Sequence, residues 1–221
     1  MKRMTVLLAD DHTIVRQGLR AVLEAEPHLE VVGEVSDGRE AVAAARALRP
    51  DLVVMDIAMP ALNGIEATRQ ILSIPSPPRV IILSMYADVE HLVHALQAGA
   101  SGYVRKQDAD TELVAALRTG TRSQPFLTST VDRNLLEEHL RRARQRSTKG
   151  GEEYDPLTPR EREVMQLVAE GEPNKTTAKR LGIAVRTVEA HRASIMRKLN
   201  LEDQAGLVRY AVRRGIVSID E

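Results

Sequence analysis

Polar and charged side chains close or follow short apolar runs at four points in the first half of the chain. They are Asp10 with Asp11, Asp56, Ser84 and Lys106, at apolar runs that end at residues 9, 55, 83 and 104. If those runs are buried parallel strands, all five side chains emerge at the carboxyl edge of one sheet, where open α/β folds bind ligands. Three carboxylates close together repel one another unless a metal ion sits among them. The pattern therefore predicts a site for a divalent cation and a phosphoryl group.

The five side chains have distinct predicted roles. Mg²⁺ is the expected cation, because it takes hard oxygen ligands and can share a phosphoryl oxygen. The three carboxylates would ligate it directly or through water, and Asp56 would also attack phosphorus to form an acyl phosphate. Lys106 would offset charge on the phosphoryl oxygens, and Ser84 would donate a hydrogen bond to one of them. An Asp pair after a strand also commonly caps the next helix, so the prediction depends on the joint occurrence of all five.

The spacing of apolar residues predicts the elements that bring these side chains together. From Thr5 to about Gly120, apolar runs alternate with segments of helical period, which is typical of βαβ units. The predicted strands span residues 4–9, 30–35, 51–55, 79–84 and 101–104. The predicted one-sided helices lie near residues 14–23, 41–48, 89–96 and 110–119. Right-handed crossovers then give an α/β domain with a doubly wound, five-stranded parallel sheet.

Length and composition limit the class of protein. The 221 residues suit two domains, and 43% hydrophobic content allows a core in each. There is no cysteine, which excludes disulfides and thiolate metal sites and is typical of the reducing cytoplasm. No apolar run approaches the roughly 20 residues of a membrane helix. We therefore expect a soluble, cytoplasmic protein that does not bind membranes.

The second half of the chain has a helical and locally basic character. We expect the first domain over residues 1–121, a linker over 122–153 with a helix at 131–146, and a smaller all-α domain over 154–221. Helices are predicted in that last domain at 159–170, 174–181, 185–199 and 204–214, and the middle two have the length and turn of a helix-turn-helix. Pro173 to Lys198 contains seven basic residues and one acid. Such a stretch indicates a polyanion partner.

The motifs of the first half resemble those of a known family. They are Asp10-Asp11, Met55-Asp56-Ile57-Ala58-Met59-Pro60 with Asn63-Gly64, Leu83-Ser84-Met85, and Gly99-Ala100-Ser101-Gly102-Tyr103-Val104-Arg105-Lys106. Together they are similar to the receiver domain of two-component response regulators. The resemblance implies phosphotransfer from a sensor histidine kinase to Asp56, with Mg²⁺ also touching the backbone carbonyl of Ala58. It further implies that Ser84 and Tyr103 form a switch, and that the acyl phosphate is a signalling state rather than a step of enzyme turnover.

A second set of motifs resembles the LuxR-type helix-turn-helix over roughly residues 156 to 215. It comprises Leu157-Thr158-Pro159-Arg160-Glu161-Arg162-Glu163-Val164, Asn174-Lys175, Ala178, Leu181-Gly182-Ile183, Thr187-Val188-Glu189-Ala190-His191-Arg192, Ile195 and Lys198-Leu199. With the receiver ahead of it, the whole chain looks like a NarL/FixJ-type response regulator. The resemblance therefore implies a phosphorylation-controlled, sequence-specific transcription factor.

The predicted helix at 185–199 has a buried stripe marked by Val188, Ile195 and Leu199. Its opposite face is therefore expected in the major groove of DNA. The residues predicted to contact DNA are Lys175, Lys179, Arg186, Thr187, Glu189, Ala190, Ala193, Arg197 and Lys198. Among them Arg186 would read guanine and Glu189 would accept from cytosine, whereas most of the other basic residues would hold phosphates.

The last predicted helix is too apolar for full exposure, and the resemblance implies that it pairs two output domains on DNA. The residues predicted to form that contact are Leu207, Val208, Tyr210 and Ala211. The implied partners are a sensor histidine kinase and double-stranded promoter DNA bound by a homodimer, with RNA polymerase as a further candidate. Half-sites about one helical turn apart are expected.

Four positions of the helix-turn-helix depart from the resemblance. Serine commonly caps both of its helices, but Pro173 and Ala184 stand there, and each lost cap would cost about 1 kcal/mol. Thr176-Thr177 replaces the usual acidic and aliphatic pair, which places a hydroxyl where the helix should pack. We therefore expect a less stable or differently anchored helix-turn-helix than is usual in the family.

Other functions are consistent with parts of the pattern. A metal-dependent phosphohydrolase with an aspartyl nucleophile would need a substrate pocket and a general acid, and neither is evident in the sequence. A regulator whose receiver is an interaction module, controlled by a partner or ligand instead of phosphorylation, would keep its mass after incubation with acetyl phosphate and Mg²⁺. Binding of RNA or protein by the output domain is distinguished by a salt titration on duplex DNA.

Overall fold

Two structural units divide the chain, Met1–Glu137 and Glu138–Glu221. The computed structural model describes residues 3–85, 89–131, 136–139, 141, 156–213 and 216–217. Of the helix predicted at 131–146, residues 136–139 and 141 are helical, and most of the remainder lies outside the described residues. Over the described part of the chain, no helix combines the length and apolar character needed to cross a membrane.

The described residues of the first unit form a parallel, six-stranded sheet in the order β2-β1-β3-β4-β5-β6. The strands are β1 (Met4–Ala9), β2 (Leu29–Val35), β3 (Leu52–Asp56), β4 (Arg79–Ser84), β5 (Gly102–Arg105) and β6 (Phe126–Leu127). Side chains of β3 and β4 are buried almost throughout, as expected for continuous apolar strands covered on both faces. The α/β prediction is confirmed, and the five predicted strands agree with β1–β5 to within one residue at each end.

Helices cover both faces of this sheet. They are α1 (Thr13–Glu24), α2 (Gly38–Leu48), α3 (Gly64–Leu72), α4 (Val89–Gln97) and α5 (Ala109–Thr119), with a short 3₁₀ turn at Lys106–Asp108. On one face, Leu19 and Leu23 of α1 share a core with Leu113 and Leu117 of α5. The order of strands and helices leaves the carboxyl ends of β1, β3, β4 and β5 at one edge.

Two elements of the first unit were absent from the sequence prediction. Helix α3 was missed because Glu66 and Thr68 are buried on it, 2% and 0% exposed, and they interrupt the one-sided apolar pattern. Strand β6 is only two residues long and lies within the segment predicted as linker. Its residues pair in register with β5, Phe126 with Gly102 and Leu127 with Tyr103. The described sheet therefore has six strands instead of five.

The second unit contains four helices among its described residues. They are α6 (Pro159–Ala169), α7 (Asn174–Leu181), α8 (Val185–Lys198) and α9 (Gln204–Arg213). Thr158 and Glu161 form a capping box at the start of α6, and Pro159 occupies its first position. Gly182 ends α7 in the left-handed conformation, with φ of 64°, and leads directly into α8. The four predicted helices agree with these bounds to within one residue.

The start of each helix in the α7–α8 pair lacks a side-chain cap. Pro173 and Ala184 stand at the two N-cap positions, and neither provides a side-chain hydrogen bond to the backbone. Thr177 of α7 is fully buried, and its hydroxyl has no hydrogen-bond partner among the described residues. Each of these features costs stability, because orphaned N–H groups and a buried, unpaired hydroxyl lose hydrogen bonds to water.

Candidate functional site

Four side chains converge at the carboxyl edge of the sheet. One ligand atom from each of Asp10, Asp11, His12 and Asp56 lies within 4.8 Å of the others. Asp10 follows β1 and Asp56 ends β3, and these two carboxylates are 1% and 2% exposed. His12 is exposed, and its Nδ1 lies 2.7 Å from Oδ1 of Asp11. The structure thus brings together the three carboxylates named from the sequence and adds an imidazole at the rim.

Lys106 places its ammonium group directly between two of these carboxylates. Its Nζ lies 2.7 Å from Oδ2 of Asp56 and 2.8 Å from Oδ2 of Asp10. The lysine side chain is only 5% exposed. The other oxygen of Asp10 accepts the backbone N–H of His12 at 2.9 Å, next to the start of α1. Asp10 therefore serves both as a helix-start acceptor and as a member of the carboxylate pocket, which is made up of Asp10, Asp11, Asp56 and Lys106.

Ionisation of Asp56 is opposed by its surroundings. Burial raises the pKa of Asp56 from its ordinary 3.8 to about 6, the nearby charge of Asp10 adds to the rise, and Lys106 counteracts it. Burial alone would lower the pKa of Lys106, but the charges of Asp56 and Asp10 raise it above its ordinary value. At neutral pH the pocket therefore holds a charged lysine and an ionised, poorly solvated Asp56, a suitable state for a nucleophile.

The remaining residues predicted for this site lie on the neighbouring strands and loop. Ser84 ends β4, is 5% exposed, and pairs in register with Arg105, the residue before Lys106. Tyr103 lies on β5 and is fully buried. Ala58 is partly exposed in the loop between β3 and α3, two residues after Asp56. All three are therefore on elements that end at the carboxylate pocket.

In the second unit, α8 presents an exposed face that is rich in polar and small side chains. The exposed residues on it that were named from the sequence are Arg186, Thr187, Glu189, Ala190, Ala193 and Arg197. Lys175 and Lys179 of α7 are exposed as well. On the other side of α8, Val188 and Ile195 are fully buried in the core of the unit. The surface made of these exposed α7 and α8 residues, called the recognition face below, carries four basic side chains and one acidic one.

Comparisons with known proteins match both halves of the chain. The family of response regulator receiver domains matches residues 6–118, and the LuxR family of bacterial regulatory proteins matches residues 155–211. The transcriptional regulatory protein LiaR of Bacillus subtilis is 38% identical over 96% of this chain and 99% of its own length. The chain is a NarL/FixJ-type response regulator. As such it joins a receiver to a LuxR-type DNA-binding domain and is a transcriptional regulator, not an enzyme.

Two further proteins are similar to this response regulator over nearly the whole chain. The oxygen regulatory protein NreC of Staphylococcus carnosus is 35% identical over 97% of this chain and 99% of its own. The structure of RcsB from Salmonella enterica serovar Typhimurium, bound to a promoter in the presence of the phosphomimetic BeF3−, has a TM-score of 0.60. It is 30% identical and covers 95% of this chain and 98% of that chain. The predictions of family and general function from the sequence are thus confirmed.

Close backbone contacts brace the carboxylate pocket of this response regulator. A Cβ built at Gly64 would lie 1.8 Å from the carbonyl oxygen of Asp56, so only glycine allows α3 to start there. A Cβ at Gly38 would lie 2.0 Å from the carbonyl oxygen of Leu62 in the same loop. On the other side, Nη1 of Arg16 donates to the carbonyl oxygen of Asp10 at 2.6 Å. The loop after Asp56 is therefore fixed by backbone packing on two sides.

A buried carboxylate joins α8 of this regulator to α6. Glu161 accepts hydrogen bonds from Thr158 N–H, from Ser194 Oγ and from Lys198 Nζ, each at 2.7 Å. Burial alone would raise the pKa of Glu161, but the hydrogen bonds from Lys198, Thr158 and Ser194 lower it to about 2. Lys198 was predicted to hold a DNA phosphate. In the structure its ammonium is paired with the carboxylate of Glu161.

The residues predicted for dimerisation divide into two groups on α9. Leu207 and Ala211 are 1% and 0% exposed, and Leu207 belongs to the core of the bundle. Val208 and Tyr210 are partly exposed. Of the four predicted residues, only Val208 and Tyr210 are therefore open to contact with another chain, because Leu207 and Ala211 are already packed inside their own domain.

Four residues at the two sites were not identified by sequence reasoning. His12 follows the Asp pair directly, so its closeness to them gives a usable signal. The position of Arg16 also gives a usable signal, because Arg16 lies one turn into the helix that begins after Asp10. Glu161 stands three residues after Thr158, the spacing of a capping box, but its bonds to Ser194 and Lys198 join residues 33 and 37 positions away and give no signal in the sequence. Gly38 gives no signal of its own, since its contact with Leu62 depends on tertiary packing.

Proposed function

We propose that Asp56 accepts a phosphoryl group from a sensor histidine kinase and that this modification controls promoter binding by the output domain. The observation that carries the proposal is the position of Lys106 Nζ, 2.7 Å from Asp56 and 2.8 Å from Asp10. A cation held beside the nucleophile stabilises the charge that develops on a transferred phosphoryl group. Burial of the nucleophile also excludes water from one side of the reaction.

The pocket suits a hard divalent cation. Asp10, Asp11 and Asp56 offer carboxylate oxygens within 4.8 Å of one another, and carboxylate oxygens are the protein ligands that Mg²⁺ prefers. We assign Mg²⁺ to these three residues and to the backbone carbonyl of Ala58. When bound, the ion would lower the mutual repulsion of the carboxylates and share negative charge from the phosphoryl group. His12 lies at the rim, where its imidazole already contacts Asp11.

The phosphoryl transfer needs few protein groups. An oxygen of Asp56 forms a bond to phosphorus while the bond from phosphorus to the donor imidazole nitrogen breaks, and the donor keeps that electron pair. Lys106 donates to the phosphoryl oxygens as charge moves onto them, and Ser84 donates to another. Tyr103 lies on the strand next to Ser84, which suits the switch role that the family resemblance assigns to this pair. The product, an acyl phosphate on Asp56, is the signalling state.

Incubation with acetyl phosphate and Mg²⁺, followed by intact mass, tests this function. We expect the mass of one phosphoryl group to be added to the wild type, and no addition in Asp56→Asn or when Mg²⁺ is chelated. Asp110→Asn, on the exposed side of α5, is the matched control and should be modified like the wild type. A wild type that keeps its mass, or an Asp56→Asn variant that gains the phosphoryl group, would contradict the proposal.

We propose that the recognition face enters the major groove of promoter DNA, with two copies of the chain on half-sites about one helical turn apart. The exposed positions of Arg186, Glu189 and Arg197 on α8 support this assignment. The RcsB structure bound to a promoter in the presence of a phosphomimetic supports a link between the phosphorylated state and DNA binding. RNA polymerase is a further partner of such a regulator, and a cytoplasmic location follows from access to the chromosome.

The salt dependence of DNA binding tests the recognition face. Each lost phosphate contact lowers the slope of log affinity against log salt by about 0.9. We expect Arg197→Gln to reduce the slope by about that amount, and Arg46→Gln, exposed on α2 of the receiver, to leave it unchanged. Equal slopes for Arg197→Gln and the wild type would remove Arg197 from the phosphate contacts.

A further inference from the structure

The first residues after α5 are attached to the turn that carries Lys106. Thr128 follows β6, is 2% exposed, and lies ten residues beyond the end of the receiver family match. Its backbone N–H donates to the carbonyl oxygen of Tyr103 at 2.9 Å. Its hydroxyl lies within hydrogen-bond distance of two carboxylates, those of Asp108 and Glu112. Thr128 therefore contacts both the end of β5 and the start of α5.

The carboxylate of Asp108 connects this threonine to the pocket. Lys106 and Asp108 are the first and last residues of one 3₁₀ turn, which is closed by the Ala109 N–H donating to the carbonyl oxygen of Lys106. Arg105 Nε donates to Oδ2 of Asp108 at 2.7 Å, and the Thr128 hydroxyl lies 3.2 Å from the same oxygen. The hydrogen bond from Arg105 lowers the pKa of Asp108, so this acceptor stays charged at neutral pH. A three-residue turn held at both ends fixes the direction of its first side chain.

A second carboxylate holds the same threonine from α5. Glu112 accepts from the Thr128 hydroxyl and, at 3.0 Å, from the backbone N–H of Ser129. Hydrogen bonds to charged acceptors are stronger than neutral ones, and burial of Thr128 protects them from water. The peptide after β6 is therefore fixed to α5 by two bonds and to β5 by one.

We propose that Thr128 is a positioning residue for phosphoryl transfer, because its hydroxyl holds the Lys106–Asp108 turn and so keeps the Lys106 ammonium against Asp56. The inference rests on the proposed function of the carboxylate pocket. It extends the functional unit beyond the receiver match, since a residue of the following segment takes part. Thr128 touches no reacting atom and acts only through Lys106.

Phosphorylation kinetics of the full-length protein test this role. The rate constant for modification by acetyl phosphate is measured at saturating Mg²⁺ for the wild type, Thr128→Val, Thr128→Ser and Thr119→Val. Valine keeps the volume of threonine and removes the hydroxyl, whereas serine keeps the hydroxyl. Thr119→Val is the matched control, because the Thr119 hydroxyl bonds Ala115 on α5 and not the turn. We expect Thr128→Val to lower the rate constant about threefold or more, as small displacements of a charge-stabilising group do, while the other two variants match the wild type.

A second readout separates positioning from loss of structure. The Mg²⁺ concentration for half-maximal rate should not rise in Thr128→Val, because its contacts do not include the carboxylates of the pocket. If Thr128→Val fails to fold, Asp108→Asn weakens the acceptor through which the hydroxyl holds the turn and should also lower the rate constant. A Thr128→Val rate constant equal to that of Thr119→Val overturns the inference, and so does an equal fall in Thr128→Ser. An unmodified wild type would instead refute the proposed function.

Discussion

Replacement of Asp56 by asparagine removes a charge that the fold holds at a cost. The carboxylate is 2% exposed, and its pKa is raised from 3.8 to about 6 by burial and by Asp10, against the opposing effect of Lys106. The folded protein therefore holds the Asp56 proton more tightly than the unfolded chain does. Above pH 6, where the group is ionised in both states, its charge destabilises the receiver.

The size of this effect follows from the two pKa values. The difference between 3.8 and about 6 corresponds to about 3 kcal/mol at 1.4 kcal/mol for each pH unit. We expect Asp56→Asn to stabilise the receiver by about 1–3 kcal/mol at pH 7.5 without Mg²⁺. As pH falls from 6 towards 3.8, the wild type gains this stability by taking up the proton. The difference between the two proteins should therefore vanish near pH 4.

Urea unfolding followed by hydrogen exchange of β1 and β3 peptides measures the stability of the receiver separately from that of the output domain. Asp110→Asn on α5 removes an exposed carboxylate and should change the stability little. Added Mg²⁺ should stabilise the wild type more than Asp56→Asn, because a ligand stabilises the state that binds it. If Asp56→Asn is less stable than the wild type at pH 7.5, the assignment of Asp56 as a strained, buried charge is refuted.

Further changes test the backbone contacts and the output domain. Gly64→Ala should unfold or strongly destabilise the receiver and prevent phosphorylation, whereas Gly18→Ala, which meets no atom within 4 Å, should stabilise it by up to about 1 kcal/mol in urea unfolding. Glu161→Gln should cost the output domain about 2–3 kcal/mol at pH 7, and the wild type should lose that stability as pH falls from 4.5 towards 2; a variant of equal stability would exclude the ion-pair role. Thr177→Val should raise the melting temperature of the output domain, since it removes an unpaired buried hydroxyl, and no rise would indicate a hidden partner. Ala184→Ser should stabilise the same domain by about 1 kcal/mol by capping α8, and an unchanged calorimetric midpoint would contradict this.

The sequence was sufficient to predict β3 and β4 because each is an almost continuous apolar run that ends at a polar residue. Asp56 ends β3 and Ser84 ends β4, so the edge of the sheet was readable from those boundaries. Burial of Glu66 had the opposite effect on the prediction of α3. A polar residue on the packed face interrupts the one-sided apolar spacing by which a helix is recognised in a sequence. The prediction of the pocket depended on side chains at the ends of strands. Because parallel strands end at the same edge of a sheet, those side chains are close together.

Contacts between distant segments were beyond the reach of the sequence. The bond from Lys198 to Glu161 depends on how α8 packs on α6. From the sequence alone, a basic residue near the end of a predicted DNA-binding helix was interpreted as a phosphate contact. The attachment of Thr128 to Asp108 was missed for a related reason. A two-residue strand has too few positions for a period to appear, and the partner that gives it order is the edge of β5.

Strand β6 also shields the sheet from other chains. The N–H of Phe126 donates to the carbonyl oxygen of Ser101, just before β5, and the N–H of Thr128 donates to that of Tyr103, so these two carbonyls at the outer edge are already bonded. Unpaired strand edges invite addition of foreign strands and aggregation. A receiver fragment cut at residue 121 would uncover this edge along the strand that carries Tyr103. The shortest well-behaved fragment should therefore extend past residue 129, where the last bond to Glu112 is made.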